Sequence, residues 1–317
     1  MTNYNEVFDE KQYLSVNLKA AKYYLETAKS AALPLKTTEV FDAYQYLHPV
    51  FAEATGATAG LDYVEKGRKA NVRHNHTVYE LFVHQMLIQI RNQDVAKYGE
   101  ALIADKHEAE IEHLIEEIDN AAFHGPKNDM GVQIAEGIIG QLTTLQDKSS
   151  GADHACATKG EIWHWLKAMI DDIPLAMRER GPDMLLFINE KTYAEASAPD
   201  RIYNDKVEWD FIYDQFIGEK AVHGRKIGQV ILTDKINAEA SDTTTGNGTN
   251  TADTLGTDGR MLLVVPDLRW AARVESAGFH LVGEDKGMLF VDQLYGWHGR
   301  ALVLNEDAWN YTERLSF

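Results

Sequence analysis

The sequence predicts an α+β fold, in which one long helix is combined with a C-terminal part rich in strands. A long amphipathic helix is expected in the first half, and short apolar runs typical of strands dominate the second half. A β-rich excursion interrupted by glycines precedes the long helix. With 317 residues, 44% of them hydrophobic, the chain can bury a sizeable core as one large domain or two smaller ones.

Composition excludes several classes of function. The net charge of -18, from 49 acidic and 31 basic residues, argues against tight binding of a nucleic-acid backbone. Cys156 is the only cysteine, so neither an internal disulfide nor a cysteine-based zinc site is expected, which fits a reducing cytoplasm. The acidic first residues are unlike a signal peptide, and no apolar run approaches about 18 residues, so we expect a soluble protein without a membrane span.

The first 91 residues are predicted to form an arm and a hairpin. Residues 1–36 contain a helical stretch that Pro34 ends. Within residues 37–91, β-rich runs at 37–51 and 76–90 flank a middle that is rich in glycine and charge. This pattern favours a two-stranded hairpin with a long tip.

The tip of this hairpin concentrates positive charge on an acidic protein. The basic residues are Lys66, Arg68, Lys69 and Arg73. Because they lack interleaved aromatic residues, a contact with an acidic protein surface is favoured over a contact with nucleic acid. A solvated loop whose charges only keep it soluble is the alternative.

Residues 92–150 contain the clearest helix. Asp105 and Glu108 have the spacing of a capping box at its start. Gly125, followed by proline, is expected to stop it. Apolar residues recur at three- and four-residue steps and form one stripe: Ile111, Leu114, Ile115, Ile118 and Ala122. The opposite face is expected to be solvated and acidic: Glu110, Glu112, Glu116, Glu117 and Asp119.

Helices and strands alternate in residues 151–237. The predicted elements are a helix at about 159–179 kinked by Pro174, a buried strand at 184–188, a helix carrying Trp209, Ile212, Phe216 and Ile217, and a strand at 227–232. Residues 238–259, rich in threonine and glycine, are expected to form a mobile surface loop.

The last part of the chain, residues 260–317, is predicted to be strand-rich. Strands are expected at 261–265, 279–282 and 288–304. Pro266 and the aspartate after it are expected to open a helix that runs through Val274. The predicted last element is a second helix, which Asn305 caps and which carries Ala308 and Trp309.

Five segments carry motifs whose joint order is more informative than any one of them. The long helix ends in EIDNAAFHG at residues 117–125, an acidic residue followed by Phe and Gly. The others are residues 184–189 with Tyr193, an apolar strand with Thr-Asp at 228–235, a strand with Pro-Asp at 261–267 followed by Trp270-Ala271-Ala272, and a closing stretch at 294–309.

This order resembles that of the capsid proteins of tailed viruses with the Hong Kong 97-type fold and of the related encapsulin shell proteins. The resemblance implies the family's named parts. They are an N-arm (1–36), an E-loop (37–91), a spine helix with the start of the P domain (92–150), an A domain (151–237), and a strand-rich close of both domains (260–317). The loop at 238–259 is an insertion to which the resemblance gives no role.

The resemblance also implies a function. It implies a major capsid protein that assembles with itself into pentamers and hexamers of an icosahedral shell, with a separate scaffold, portal or accessory proteins. The shell would be assembled in the host cytoplasm and would enclose DNA without sequence-specific binding. The E-loop would overlie a neighbouring subunit and bring the basic tip to an acidic surface there, with the spine helix as one candidate. The resemblance implies no cofactor and no contact with a membrane. The shell of an encapsulin-type compartment is the alternative most similar to this function.

A metal-binding enzyme is the alternative from another class of function. Glu110 with His113, and Glu161 with His164, have the Glu-x-x-His spacing of ferritin-like di-metal sites. Such a bundle needs two further helices, whereas the second half is strand-rich, so solvated helix faces are the favoured interpretation. Exposed strand positions are likewise expected for His74, His76 and His84, and no motif surrounds His154 and Cys156 as a nucleophile and its base. We therefore expect no enzyme.

Overall fold

The structure is a computed structural model of the whole chain. It describes residues 28–37, 45–51, 74–91, 93–94, 97, 100–128, 131–145, 154–156, 158–237, 259–285 and 289–316.

Helices and strands are interspersed along the described chain. The strands are β1 (Leu35–Thr37), β2 (Gln45–Phe51), β3 (His74–Arg91), β4 (His154–Ala155), β5 (Met184–Ile188), β6 (Ile202–Tyr203), β7 (Lys206–Val207), β8 (Ile227–Leu232), β9 (Gly259–Val264), β10 (Ala271–Asp285), β11 (Leu289–Val303) and β12 (Trp309–Ser316). The helices are α1 (Glu100–Phe123), α2 (Ile138–Leu145), α3 (Glu161–Asp172), α4 (Leu175–Arg180), α5 (Glu190–Ala196) and α6 (Glu208–Ile212), the last continued by a π-helical turn at Tyr213–Ile217. The predicted α+β class is confirmed.

The first sheet has the strand order β1-β10-β11-β3-β2. Only β1 pairs in parallel, with β10, and the other pairs are antiparallel. The strands β10 and β11 form a long ribbon, and β2 pairs with the first residues of β3. The register of β10 against β11 shifts on both sides of Glu275, and such irregularities bend a strand. The ribbon is therefore expected to bend at Glu275.

The second sheet has the order β4-β12-β9-β5-β8 and carries the main core. All residues of β5 are buried, as its continuous apolar run predicted. The helix α3 packs on β9 and β12, and α2 packs on both β12 and β11 of the first sheet. The end of α1 also reaches this core, where the Phe123 ring meets Phe187 edge-on at 5.5 Å between centroids.

The helix α1 packs on β3 and β11 of the first sheet. Its apolar stripe lies in the interior, with exposed fractions of 8% for Ile111, 1% for Leu114, 5% for Ile115 and 2% for Ile118. Burial of large side chains at three- and four-residue spacing fixes which face of a helix turns inward. The stripe therefore sets the orientation of the opposite, acidic face.

The prediction for the start of α1 was wrong. The helix begins at Glu100, so Asp105 lies inside it and does not cap it. Residues 100–104 are mostly strong helix formers, and they extend the helix toward its N-terminus. Its end was predicted correctly. Gly125 has a φ of +105°, and a side chain there would meet the Ala135 carbonyl oxygen at 1.9 Å.

The predicted helix at 159–179 is two helices. Pro174 and the residue before it, Ile173, both have extended backbone, with ψ values of 132° and 126°. A proline ring disfavours helical geometry in the preceding residue and removes a backbone donor. The chain therefore breaks between α3 and α4 instead of bending.

Two predicted helices near the C-terminus are absent. Asp267 closes only a short turn, because its side chain accepts from the Arg269 N–H at 2.9 Å, and β10 starts at Ala271. The Arg273 N–H then donates to the Pro34 carbonyl, which draws the segment into the sheet. Similarly, Asn305 does cap a turn, but it is a single 3₁₀ turn followed by β12. Strand pairing in the folded chain outweighs the local helix signal in both places.

The helix α2 was not predicted. Gly137 and Gly140 gave its sequence the character of a loop, yet Ile138, Ile139 and Leu142 are buried against the core. The predicted loop boundary also moves, because Gly259 belongs to β9, and residues 238–258 lie outside the described residues.

Candidate functional site

The polar face of α1 is the largest acidic surface that the sequence indicated. Glu112, Glu116 and Glu117 are exposed, and Glu110 is partly buried. Lys235, in the turn after β8, donates from Nζ to Glu116 Oε1 at 3.0 Å. This ion pair lowers the pKa of Glu116. One member of the acidic face is thus engaged within the same chain.

Asp119 does not belong to this acidic face, and its predicted exposure was wrong. It is only 4% exposed and accepts from the backbone N–H groups of Lys29 and Ser30, at 2.7 and 2.9 Å. The Ser30 hydroxyl donates to the same carboxylate. Because ionised acceptors make the stronger hydrogen bonds, Asp119 fastens the segment before β1 onto α1.

The basic residues of the predicted E-loop tip, Lys66, Arg68, Lys69 and Arg73, lie outside the described residues. Their contact with an acidic surface stays a prediction. The strands on either side of the tip are described, and β2 pairs antiparallel with β3 from Gln45 and Glu80 to Phe51 and His74.

A buried polar cluster lies where β10, β11 and β3 run side by side in the first sheet. His298 on β11 is 3% exposed, and its Nδ1 lies 3.7 Å from Glu275 Oε2 on β10. Arg273, 1% exposed, lies 3.8 Å from the same carboxylate oxygen. The His84 ring on β3 meets the His298 ring edge-on at 5.8 Å between centroids. The cluster therefore joins three neighbouring strands of the first sheet.

Burial governs the ionisation of this cluster. It lowers the pKa of His84 to about 4 and that of His298 well below its ordinary value, with His84 and Arg273 adding repulsion to the latter. Burial raises the pKa of Glu275, although Arg273 opposes this shift. Both histidines are therefore neutral at pH 7, and the Arg273 guanidinium lies within ion-pair distance of the Glu275 carboxylate.

The sequence did not reveal this cluster. His84 was expected to be an exposed strand histidine, and it is instead partly buried against His298. A usable signal was present in AARVES, residues 271–276, where charged residues interrupt an apolar run. The helix predicted for this segment would place the same charged residues on an exposed face, whereas the strand buries them.

A second polar network joins the two ends of the 238–258 segment. The Asn189 Oδ1 accepts from the Arg260 N–H at 3.0 Å, and the Asn189 Nδ2 donates to Asn237 at 2.9 Å. The Arg260 guanidinium donates to the Tyr311 hydroxyl, which donates to the Ile236 carbonyl. The chain thus leaves and re-enters the second sheet at a hydrogen-bonded stem.

Of the pairs considered for metal binding, Glu161 and His164 have other partners. Glu161 accepts from the Thr158 N–H and hydroxyl at 2.6 and 2.8 Å, and the exposed His164 packs on Trp163. Burial raises the pKa of the Cys156 thiol to about 12, so it is a poor nucleophile. In the described part of the chain, no group of three or more His, Cys, Asp or Glu residues could hold a metal ion.

None of the helices in the described ranges is long and apolar enough to cross a membrane.

Comparison with known proteins supports a shared fold without close sequence relatives. No protein-family model matches the chain, and no curated protein matches it in sequence. Solved structures do match. The capsid of Myoviridae phage XM1 has a TM-score of 0.56 at 13% identity, over 89% of this chain and 90% of that one.

Two further solved structures match over similar lengths. The virus-like particle from Pyrococcus furiosus has a TM-score of 0.54 at 12% identity, over 95% of this chain and all of that one. The capsid of an empty GTA particle has a TM-score of 0.52 at 12% identity, over 92% and 90%. The chain therefore has the Hong Kong 97-type fold of capsid and related shell proteins, as its order of parts predicted.

Proposed function

We propose that this chain is a major capsid protein, the subunit of an icosahedral shell that encloses a viral genome. The observation that carries the proposal is the match, over about nine tenths of each chain or more, to subunits of capsids and virus-like particles. A match over this share of both chains is not confined to a single sheet or helix of the fold. The proposed role is structural and not enzymatic.

We assign the family's named parts to this chain on the same basis. The hairpin of β2 and β3 would be the E-loop, α1 the spine helix, and the second sheet with α3 to α6 the A domain. The long ribbon of β10 and β11 would belong to the P domain together with α1. The subunits would meet in pentamers and hexamers, and a separate scaffold, portal and accessory proteins would complete the particle.

We propose that genome retention is mechanical. A chain with a net charge of -18 repels nucleic-acid phosphates, and neutralising them requires clustered basic residues. A closed wall holds DNA without sequence-specific contacts. The particles would then be virions that assemble in the host cytoplasm.

The content of purified particles tests this function. After treatment of particles from the producing cells with nuclease, we expect protected DNA of uniform length. Particles that contain a single protein cargo and no protected DNA would instead identify a compartment of the encapsulin type. The two results are distinguished by the ratio of nucleic-acid to protein absorbance of the particles. Gel electrophoresis of their DNA and protein provides a second measurement.

We also propose that the basic tip of the E-loop meets the acidic face of a neighbouring subunit. The acidic face of α1 is one candidate, and there Glu117 and Glu112 are exposed while Glu116 already pairs with Lys235. Each exposed pair would contribute about 0–1 kcal/mol and would weaken with salt. Repeated over every subunit, such small contributions add up.

Charge reversal tests this contact. In Lys66→Glu/Arg68→Glu/Lys69→Glu protein, we expect a lower assembly yield and a weaker dependence of that yield on salt than in the parent. An unchanged yield with unchanged salt sensitivity would show that the basic tip does not contribute to assembly, and would favour a solvated loop. The assignment of the fold would stand in either case.

A further inference from the structure

The first sheet is irregular around Glu275 of β10. Thr37, the last residue of β1, pairs with Glu275. The register of β10 against β11 shifts on both sides of this residue, and after it residues 276–278 lie opposite Trp297 alone. Because an interrupted ladder lets a strand bend, Glu275 is a paired position between two irregular ones.

The hairpin of β2 and β3 leaves the sheet beside this position. His298 of β11 pairs with both Glu275 of β10 and Phe82 of β3. The next pair, Gly299 with Leu81, is the last between β11 and β3, and beyond Leu81 the strand β3 pairs with β2. The root of the hairpin therefore lies one residue pair from His298.

Four ionisable side chains lie at this root, and we name them the joint: His84, Arg273, Glu275 and His298. The His298 Nδ1 atom and the Arg273 Nη2 atom lie 3.7 and 3.8 Å from the same Glu275 carboxylate oxygen. The His84 ring meets the His298 ring edge-on at 5.8 Å between centroids. A single carboxylate thus accompanies one permanent cation and two histidines that become cations in acid.

The strands around the joint bring charges that balance. Glu80 of β3 and Arg300 of β11 are the next charged residues of these strands beyond the joint, and their charges are opposite. On β1, Lys36 pairs with Val274, which lies between the two joint residues of β10. Because successive strand residues alternate between faces, Val274 and its partner hold positions of the other face of the sheet.

The helices that pack on these strands meet them mainly through neutral groups. The helix α1 packs on β3 and β11, with its apolar stripe in the interior. The helix α2 binds β11 through the neutral side chain of Gln141. Within the described residues, the charges that act on His298 are those of His84 and Arg273. The ionisable residues of α1 that are buried or partly buried are Lys106, Glu110 and Asp119.

Acid disturbs the charge balance of the joint. With neutral histidines it holds one positive and one negative group, whereas protonation of His84 and His298 leaves three positive groups with one carboxylate. Unpaired charge is unfavourable in a buried site, so a protonated histidine is better placed in water. His298 is 3% exposed on the middle strand, whereas His84 is partly buried on the strand that leaves the sheet. His84 therefore has the shorter route to water.

We propose that the joint is an acid-operated release of the hairpin, in which protonation of its histidines detaches residues 81–86 of β3 from β11 while the second sheet stays folded. Burial holds the pKa of His84 at about 4, below its ordinary 6.5, so acid favours an opened state in which this ring meets water. The joint lies within one subunit, so the proposal goes beyond the shell function and does not depend on it.

Hydrogen exchange of full-length, unassembled subunits at pH 7 and pH 5 tests the release. After correction for intrinsic exchange rates, the protection of residues 81–86 should fall at least about 20-fold, the factor that a pKa of 6.5 in the opened state and about 4 in the closed state implies. Amides of β5 (Met184–Ile188) should stay at least about ten-fold better protected at pH 5, because local opening costs less than global unfolding. His84→Gln should remove most of the pH dependence at 81–86, and His164→Gln, at an exposed histidine of α3, should leave it unchanged.

Three outcomes would overturn the release. One is unchanged protection of residues 81–86 between the two pH values. Another is an equal loss in 81–86 and β5 with the same dependence on urea, since acid would then unfold the whole subunit. The third is full pH dependence in His84→Gln subunits. The first two are read from the parent alone and decide the matter even if the variant does not fold, and none of them bears on whether the chain forms shells.

Discussion

Asp119 shows how a single residue differs from its expected place. The sequence predicted it on the polar face of α1, although it stands four residues after Ile115 and three before Ala122, at the edge of the apolar stripe. It is buried beneath the segment that carries Lys29 and Ser30. Its partners lie about ninety residues earlier in the chain. No local pattern in a sequence indicates such a distant partner, so the hydrogen bonds of Asp119 could not be predicted from the sequence.

Removal of the Asp119 carboxylate should destabilise the subunit. Asp119→Ala leaves the N–H groups of Lys29 and Ser30 without their acceptor, and we expect a loss of about 2–4 kcal/mol in the free energy of unfolding. Glu117→Ala, on the exposed face of the same helix, should change it by less than about 0.5 kcal/mol. Urea unfolding of unassembled subunits measures both, and equal effects would contradict the role of Asp119.

The buried histidines should make the subunit sensitive to acid. The pKa of His84 is lowered from 6.5 to about 4, so as the pH falls the unfolded chain takes up the proton first. The stability that neutral His84 contributes is present above about pH 6.5 and is lost toward about pH 4, at most about 3 kcal/mol. His298 acts in the same direction, while Glu275, with its raised pKa, acts in the opposite one.

The comparison of parent and His84→Gln subunits checks this expectation. Between about pH 6.5 and about pH 4, the free energy of unfolding should fall less steeply in the variant, which has no group to protonate at this position. Glutamine keeps a polar side chain of similar size. Parallel curves for the two proteins would show that His84 does not control the acid response.

Whole elements were predictable where the apolar pattern and the burial agree. The strand β5 and the stripe of α1 have clear periods, and each was assigned correctly. The segment from Pro266 to Val274 was not, because a helix-start signal stood beside residues that pair with β1 and β11. Such pairing depends on strands far away in the sequence, and local propensity cannot reveal it.

Substitution of the central residue of the α1 stripe tests the orientation of this helix. Leu114 is 1% exposed, so Leu114→Asp places an unpaired carboxylate in the interior, and we expect a loss of more than about 4 kcal/mol. The neighbouring His113→Asp adds the same side chain on the exposed face and should leave the subunit folded. Soluble, normally assembled Leu114→Asp protein would show that the stripe does not face the interior.

The hydrogen-bonded stem of Asn189, Asn237 and Arg260 leads to a prediction about the segment at residues 238–258. Its sequence has little apolar content to anchor it, and the stem holds its ends together independently. A short Gly-Ser tag inserted after Gly248 should therefore leave folding and assembly unchanged. The same tag after Leu263, inside the fully buried strand β9, should abolish folding. Failure of the Gly248 insertion to fold would mean that the segment is part of the core.

At the scale of the whole molecule, the fold is specified by an order of parts more than by particular residues. The match to the phage XM1 capsid extends over 89% of the chain at only 13% identity. Apolar periodicity, breaks at proline and glycine, and the length of the excursions are enough to define that order. The buried cluster at His298 depends on individual side chains, and the order of parts does not predict it.

Electron microscopy of the purified full-length protein tests the central claim most directly. Particles from the producing cells, separated by size-exclusion chromatography and examined in negative stain, should be closed shells of uniform diameter with icosahedral symmetry. Their wall should consist of rings of five and six subunits. A discrete small oligomer, with no shells in any fraction, would contradict the proposal that this chain is the subunit of an icosahedral shell.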